Sequence, residues 1–219
     1  MGAITRAAAN NITTSGLILP AGINDASVAS ITELAQVSAG DGITLISSQT
    51  ASASSSISFT TGIDSTYRTY LFKFINIHPS AANTGCQFNF STDGGSNYNV
   101  TKTSTAFYTA HNESDSIAEL GYYGGADLAQ STGYQPFNIA MQADSDSSMS
   151  AYMYLFNPSD TTFVKHFISE NNFMSYSYLE SVRIFVAGYG NTTSAINAIR
   201  FQMSSGNIDS GTIHMYGIA

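Results

Sequence analysis

The chain has one cysteine, four prolines and no tryptophan in 219 residues. A single thiol excludes an internal disulfide. It also excludes a cysteine-rich zinc site, which needs several Cys or His ligands at close spacing. Cys86 lies in "CQFNF", among apolar residues, and reads as a buried small hydrophobe. Charge is scarce as well. Charged residues make up 10% of the chain, against about 25% in ordinary soluble domains. Seven Lys and Arg are scattered singly and the net charge is -8. A nucleic-acid binder needs a basic stripe to displace counterions from phosphates, so no nucleic-acid partner is expected. The same deficit argues against anionic membranes. No apolar run approaches the ~18 residues of a membrane span, so no membrane insertion is expected. The opening "MGAITR" shows no basic region followed by an apolar one, as a secretion signal would. Arg6 stands where a myristoylation signal wants Ser or Thr.

Hydrophobic residues supply 43% of the chain and aromatics 12%, enough for a packed core. Ser, Thr, Asn and Gly provide the polarity. Hydroxyl and amide surfaces suit faces that touch copies of the same chain or sugars. Asn-x-Ser/Thr triplets begin at Asn11, Asn99, Asn112 and Asn191; with no secretion signal they read as accidents of composition.

Residues 1–42 differ from the rest. They contain no Phe or Tyr and only short apolar patches, at Leu17, Ile18 and Leu19 and around Ile31 and Leu34. Such a segment cannot bury enough area to fold alone. It is expected to be an extended arm that anchors to a partner through those patches, with one short helix possible in "NDASVASITELAQV".

Residues 43–219 have a β texture. "ITLISSQT", "SISFTTGI", "YRTYLFKFINI", "STAFYTA", "YQPFNIAM", "SAYMYLFN", "TFVKHFIS" and "VRIFVAGY" read as strands separated by Gly-, Asn-, Asp- and Ser-rich loops. "CQFNFSTDGGSNYNVT" reads as a hairpin turning at Asp93-Gly94-Gly95, with Phe88 and Phe90 on one face. "AIRFQM" and "GTIHMYGI" read as a second hairpin. About ten strands with almost no helical period predict an all-β fold, a jelly-roll-like β-sandwich preceded by the arm.

Catalytic and metal signatures are weak, and no cofactor or metal is expected. His78, His111, His166 and His214 are far apart in sequence; His166 and His214 fall in strands, and His111 in the loop-like "AHNESDS". "STDGGSN" and "ADSDSS" could offer oxygen ligands to calcium, but a tight site needs about six to eight oxygens, and turn chemistry accounts for both. No nucleophile elbow, Walker A or dinucleotide fingerprint is present. No catalytic residue is assigned.

Tyrosine is the remaining signal, with thirteen in the chain. Tyr122 and Tyr123 in "ELGYYGGADL", and Tyr176 and Tyr178 in "FMSYSYLE", read as loop residues able to stack on sugar rings. Packing at a subunit interface is the competing use. Two strands are apolar on both faces: "YRTYLFKFINI", with Tyr70, Phe72 and Phe74 on one side, and "SAYMYLFN", with Tyr152 and Tyr154. A sandwich strand normally shows water one face. These five residues are therefore candidates for a homo-oligomer interface, with a trimer expected.

The stretches "ITLISSQTASASSSISFTTGIDSTYRTYLFKFINIHPS", "LFNPSDTTFVKHFISE" and "AGYGNTTSAINAIRFQMSSGNIDSGTIHMYGIA" resemble structural proteins of tailed phages of marine bacteria, cyanophages and pelagiphages among them. The resemblance spans roughly residues 43–219 and lies in the texture of the whole domain. It implies a virion part, a tail or head fibre or spike, assembled in the host cytoplasm and exposed on the released particle. The arm would then join other virion proteins and the sandwich would face outward toward host glycans. A capsid decoration protein is the alternative, ahead of a glycan-degrading enzyme or a free lectin.

Overall fold

The computed structural model describes residues 12–13, 16–17, 42–177 and 180–218. The chain divides into two units, residues 1–39 and 40–219. In the first, β1 (Ile12–Thr13) and β2 (Gly16–Leu17) form a short antiparallel ribbon with Ile12 opposite Leu17. The side chain of Leu17, the anchor candidates Ile18, Leu19, Ile31 and Leu34, and the helix expected near them lie outside the described residues.

The second unit is all-β among its described residues. Its strands are β3 (Ile43–Thr50), β4 (Ile57–Phe59), β5 (Thr69–Pro79), β6 (Cys86–Ser91), β7 (Lys102–Asn112) and β8 (Ala118–Tyr122). They continue with β9 (Gln135–Pro136), β10 (Met149–Phe156), β11 (Lys165–Met174), β12 (Glu180–Gly190), β13 (Ala198–Met203) and β14 (Ile208–Ile218). Eight strands form one antiparallel sheet in the order β3-β14-β5-β10-β11-β12-β7-β8. Four form the facing sheet, β4-β13-β6-β9.

This order is that of a jelly roll. The pairs β3–β14, β4–β13, β5–β10 and β6–β9 are each antiparallel. They are the successive rungs of one long two-stranded ribbon, and rolling that ribbon places alternate rungs in opposite sheets. Strands β7, β8, β11 and β12 are additions that widen one sheet only.

The core follows from period-two alternation. Phe72 and Phe74 on β5, Phe88 and Phe90 on β6, Phe167 on β11 and Phe201 on β13 are all buried. Their rings interlock edge to face: Phe72 meets Phe201 at 5.4 Å between centroids, and Phe88 meets Phe167 at 5.2 Å. Each ring removes about 150–250 Å² from water, and aromatic geometry adds about 0.5–1.5 kcal/mol per pair.

Both hairpins read from the sequence are corrected. Asp93 does organise a turn, with Oδ1 accepting the Asn97 N–H at 2.8 Å and the Ser91 hydroxyl at 2.6 Å. The chain leaving it does not return beside β6; it enters the larger sheet as β7 next to β12. Likewise β13 lies in the small sheet and β14 in the large one. The alternation that buries Ile199, Phe201 and Met203 is as expected. Each of the two segments contributes an apolar inner face to opposite walls of one core, and a flat hairpin could not bury both.

Irregularities set which side chains face out. Asn76 takes a positive φ of 51°, and β5 and β14 pair with register shifts at Ser210. That extra residue flips the parity of β5, so Ile77 points inward although Leu71 and Ile75 point outward. Gly211 answers it across the strand pair. Its φ is +113°, and a Cβ there would sit 2.6 Å from the Asn76 carbonyl oxygen.

Candidate interaction face

The small sheet buries one side against the core, and the large sheet extends four strands beyond the jelly-roll unit. The outer side of that large sheet is built by register. Leu45, Tyr216, Leu71, Tyr154, Ile168 and Ala187 lie opposite one another in succession across β3, β14, β5, β10, β11 and β12. The next cross-strand row carries Lys73, Tyr152, Glu170, Phe185, Phe107 and Tyr122. Both rows are rich in aromatic and aliphatic groups and cross nearly the whole sheet.

The relief is uneven. Tyr152, Tyr154 and Phe156 form a ridge along β10, with successive ring centroids 5.8 and 6.1 Å apart. Phe107 and Phe185 stack at 5.1 Å. Ala187 and the backbone of Gly188 line a trough of about 490 Å³ together with His166, Ile168, Tyr189, Thr103 and Thr105. Leu71 is buried on this outer side, beside Tyr154 and Tyr216 in the register. Leu45 remains 53% exposed and Phe107 46%. Soluble monomers rarely leave a large contiguous apolar patch open to water.

One polar island interrupts the face. Glu170 accepts hydrogen bonds from Arg183 Nε at 2.6 Å and from the Tyr152 hydroxyl at 2.5 Å. Those bonds hold the Glu170 carboxyl below the usual range, the Arg183 contact most of all. Lys73 lies over the Tyr216 ring, 5.6 Å from its centroid. The Nδ1 atom of His214, on the same face, is buried and has no hydrogen-bond partner among the described residues.

The five oligomer candidates separate here. Tyr152 and Tyr154 are on the outer face, backed by buried Met153 and Leu155. Tyr70, Phe72 and Phe74 are the correction. They are buried in this chain's own core, and the Tyr70 hydroxyl donates to the Asp64 backbone carbonyl at 2.9 Å. The side of β5 open to a neighbour carries Lys73 and Ile75.

Of the four tyrosines read as sugar contacts, Tyr122 and Tyr123 turn to opposite sides. Tyr122 belongs to strand β8 and not to a loop; it is 63% exposed and its hydroxyl donates to Asp127 Oδ2 at 2.7 Å. Tyr123, the next residue, turns inward onto Tyr108, and burial pushes its hydroxyl up to about 12. Tyr176 is an exposed turn residue. Tyr178 lies outside the described residues.

Other sequence candidates have local roles. His111 is near the end of strand β7, not in a loop, with Nε2 3.1 Å from Asp115 Oδ1. Hydrogen bonds from Ser91 and Asn97 hold the exposed Asp93 carboxyl down at about 2. Asp144 offers its backbone carbonyl to Ser147. Among the described residues, no three His, Cys, Asp or Glu side chains are grouped to hold a metal ion.

Sequence reasoning missed two buried lysines. Lys102 and Lys165 flank Gly190 on either side of β12 and are both fully buried. Lys165 Nζ donates to the backbone carbonyls of Phe163 and Thr192. Parity held the signal for Lys102: it is four and eight residues from Ala106 and Ala110, which share its inward side. No family model, curated protein or solved structure matches this chain.

Proposed function

We propose that this chain is a structural protein of a tailed-phage particle, a fibre or spike component that works by assembling with copies of itself. The carrying observation is the aromatic-rich outer face of the large sheet, broken only by the Glu170–Arg183 island and Lys73, which no described segment of the second unit covers. A second copy of the chain is its simplest cover, because burying such a face removes a patch that a soluble monomer tolerates poorly. Two further features support the reading. The polar surface relies on Ser, Thr and Asn, which pack against sister chains without charge repulsion. The jelly roll is closed by pairing along its whole ribbon, which suits a part exposed to proteases. Placement in a phage rests on the resemblance of residues 43–219, and a threefold arrangement on analogy with phage appendages. Residues 1–42 would join the particle. Tyr122 and Tyr176 are the exposed tyrosines left to meet glycans.

Antibody raised against the folded chain is expected to decorate intact particles in lysates of infected cells. Position on the tail would favour a fibre, and position on the head a decoration protein. Labelling confined to the soluble fraction would overturn the virion reading.

A further inference from the structure

Lys102 and Asn89 form an unusual contact. Both are fully buried, one opening β7 in the large sheet and the other within β6 in the small sheet. Lys102 Nζ lies 2.5 Å from Asn89 Oδ1, and its other partner is the Val100 carbonyl at 2.8 Å. The amide is locked in one orientation. Its Nδ2 donates to the carbonyls of Tyr98 at 2.7 Å and Thr132 at 2.9 Å. Its Oδ1 also accepts the Phe90 backbone N–H at 2.9 Å.

We propose that Lys102 and Asn89 are the two halves of an intramolecular isopeptide bond that ties β6 to β7. Nζ attacks Cγ of Asn89, the Nζ–Cγ bond forms and the Cγ–Nδ2 bond breaks. One proton moves from Nζ to Nδ2, and ammonia leaves. No oxidant, reductant or further reagent is needed.

Four observations favour the step. Burial lowers the Lys102 amine to about 7, so much of it is the nucleophilic free base at neutral pH. The reacting groups are held in contact by two strands, which replaces a bimolecular encounter with an intramolecular one. The Phe90 N–H already points at the oxygen that becomes negative in the tetrahedral intermediate. The leaving group is also a proven one. Asn side chains release the same ammonia when a backbone nitrogen, a far weaker nucleophile than an amine, attacks the same carbon.

Among the described residues, neither group has a hydrogen bond to a carboxylate. The proton must therefore pass between the two nitrogens without an acid relay, so the bond forms slowly after folding. Its value to the fold is clear from the sequence, since a chain with one cysteine has no internal disulfide available.

The test is intact mass spectrometry of the full chain, measured fresh and after days of incubation in folded form at mildly alkaline pH. The aged protein is expected to weigh about 17 Da less, the mass of one ammonia. Peptide mapping should join the Asn89 and Lys102 peptides and show no tryptic cleavage at Lys102. A parallel sample held in urea should show no such link, and Lys102→Met should lose it in the folded state. An unchanged mass in the aged wild-type chain would overturn the proposal. So would a 17 Da loss that maps to a cyclised Asn elsewhere. Neither result depends on what particle the chain belongs to.

Discussion

Phe201 of β13 and Phe74 of β5 meet edge to face between the two sheets, with ring centroids 4.9 Å apart and planes at 88°. Phe201 also contacts Phe59, Phe72, Phe88 and Phe137. It is the common member of the inter-sheet aromatic cluster. Phe201→Ala is expected to lower stability by about 3–5 kcal/mol, because both the transfer term and a cavity are lost. Phe201→Leu should lose clearly less. Urea unfolding reads both, and an alanine variant within about 1 kcal/mol of wild type would contradict the packing described.

Gly211 and Asn76 make the second prediction. At a φ of +113° and with the Asn76 carbonyl 2.6 Å from a built Cβ, alanine cannot be accommodated without moving β5 or β14. Gly211→Ala should cost about 1–3 kcal/mol. Thermal unfolding checks it. An unchanged melting temperature would mean that the bulge is not as placed.

Cys86 gives the pH dependence. Burial pushes its thiol from 9.0 up to about 12. The unfolded chain therefore loses this proton first as pH rises. Its contribution to stability is intact below pH 9 and is lost progressively between about 9 and 12. Near pH 10.5 the loss should be of the order of 2 kcal/mol. Tyrosines titrate in the same range, so the measurement is the difference between wild type and Cys86→Ala at pH 8 and 10.5. That difference should narrow at the higher pH. A thiol reagent should leave native Cys86 unlabelled and label it in urea. Rapid labelling of the native protein would contradict its burial.

Much of this fold is legible in the sequence because β alternation is local. "AIRFQM" shows its buried side directly, with Ile199, Phe201 and Met203 in, whereas "SAYMYLFN" is apolar on both faces and only the structure puts Met153 and Leu155 in and Tyr152 and Tyr154 out. What the sequence hides is pairing. Adjacent segments such as β13 and β14 look like a hairpin, and only the long-range pairs β13–β4 and β14–β3 show that they line opposite walls. The interface candidates failed on β5 for a related reason. "TYLFKF" is apolar at Tyr70, Phe72 and Phe74 and again at Leu71, and nothing local says which side meets the small sheet. The outer face itself is invisible in one dimension, since its rows are assembled from six or more strands.

That face yields the next prediction. Leu45 and Phe107 are exposed and lie on β3 and β7, far apart on the same side of the large sheet. Leu45→Glu should leave the unfolding free energy of the dissociated chain within about 0.5 kcal/mol of wild type, and Phe107→Asp should cost it about 0.5–1.5 kcal/mol through the lost stack on Phe185. At least one should weaken self-association tenfold or more in sedimentation equilibrium. If both associate as wild type does, the face is covered by something other than a sister chain.

Self-association through the large sheet is read by sedimentation equilibrium of the full 219-residue chain in dilute, neutral buffer. One homogeneous species with three times the mass of a single chain is expected, persisting to low micromolar concentration. A folded, soluble and stable monomer at those concentrations would contradict it.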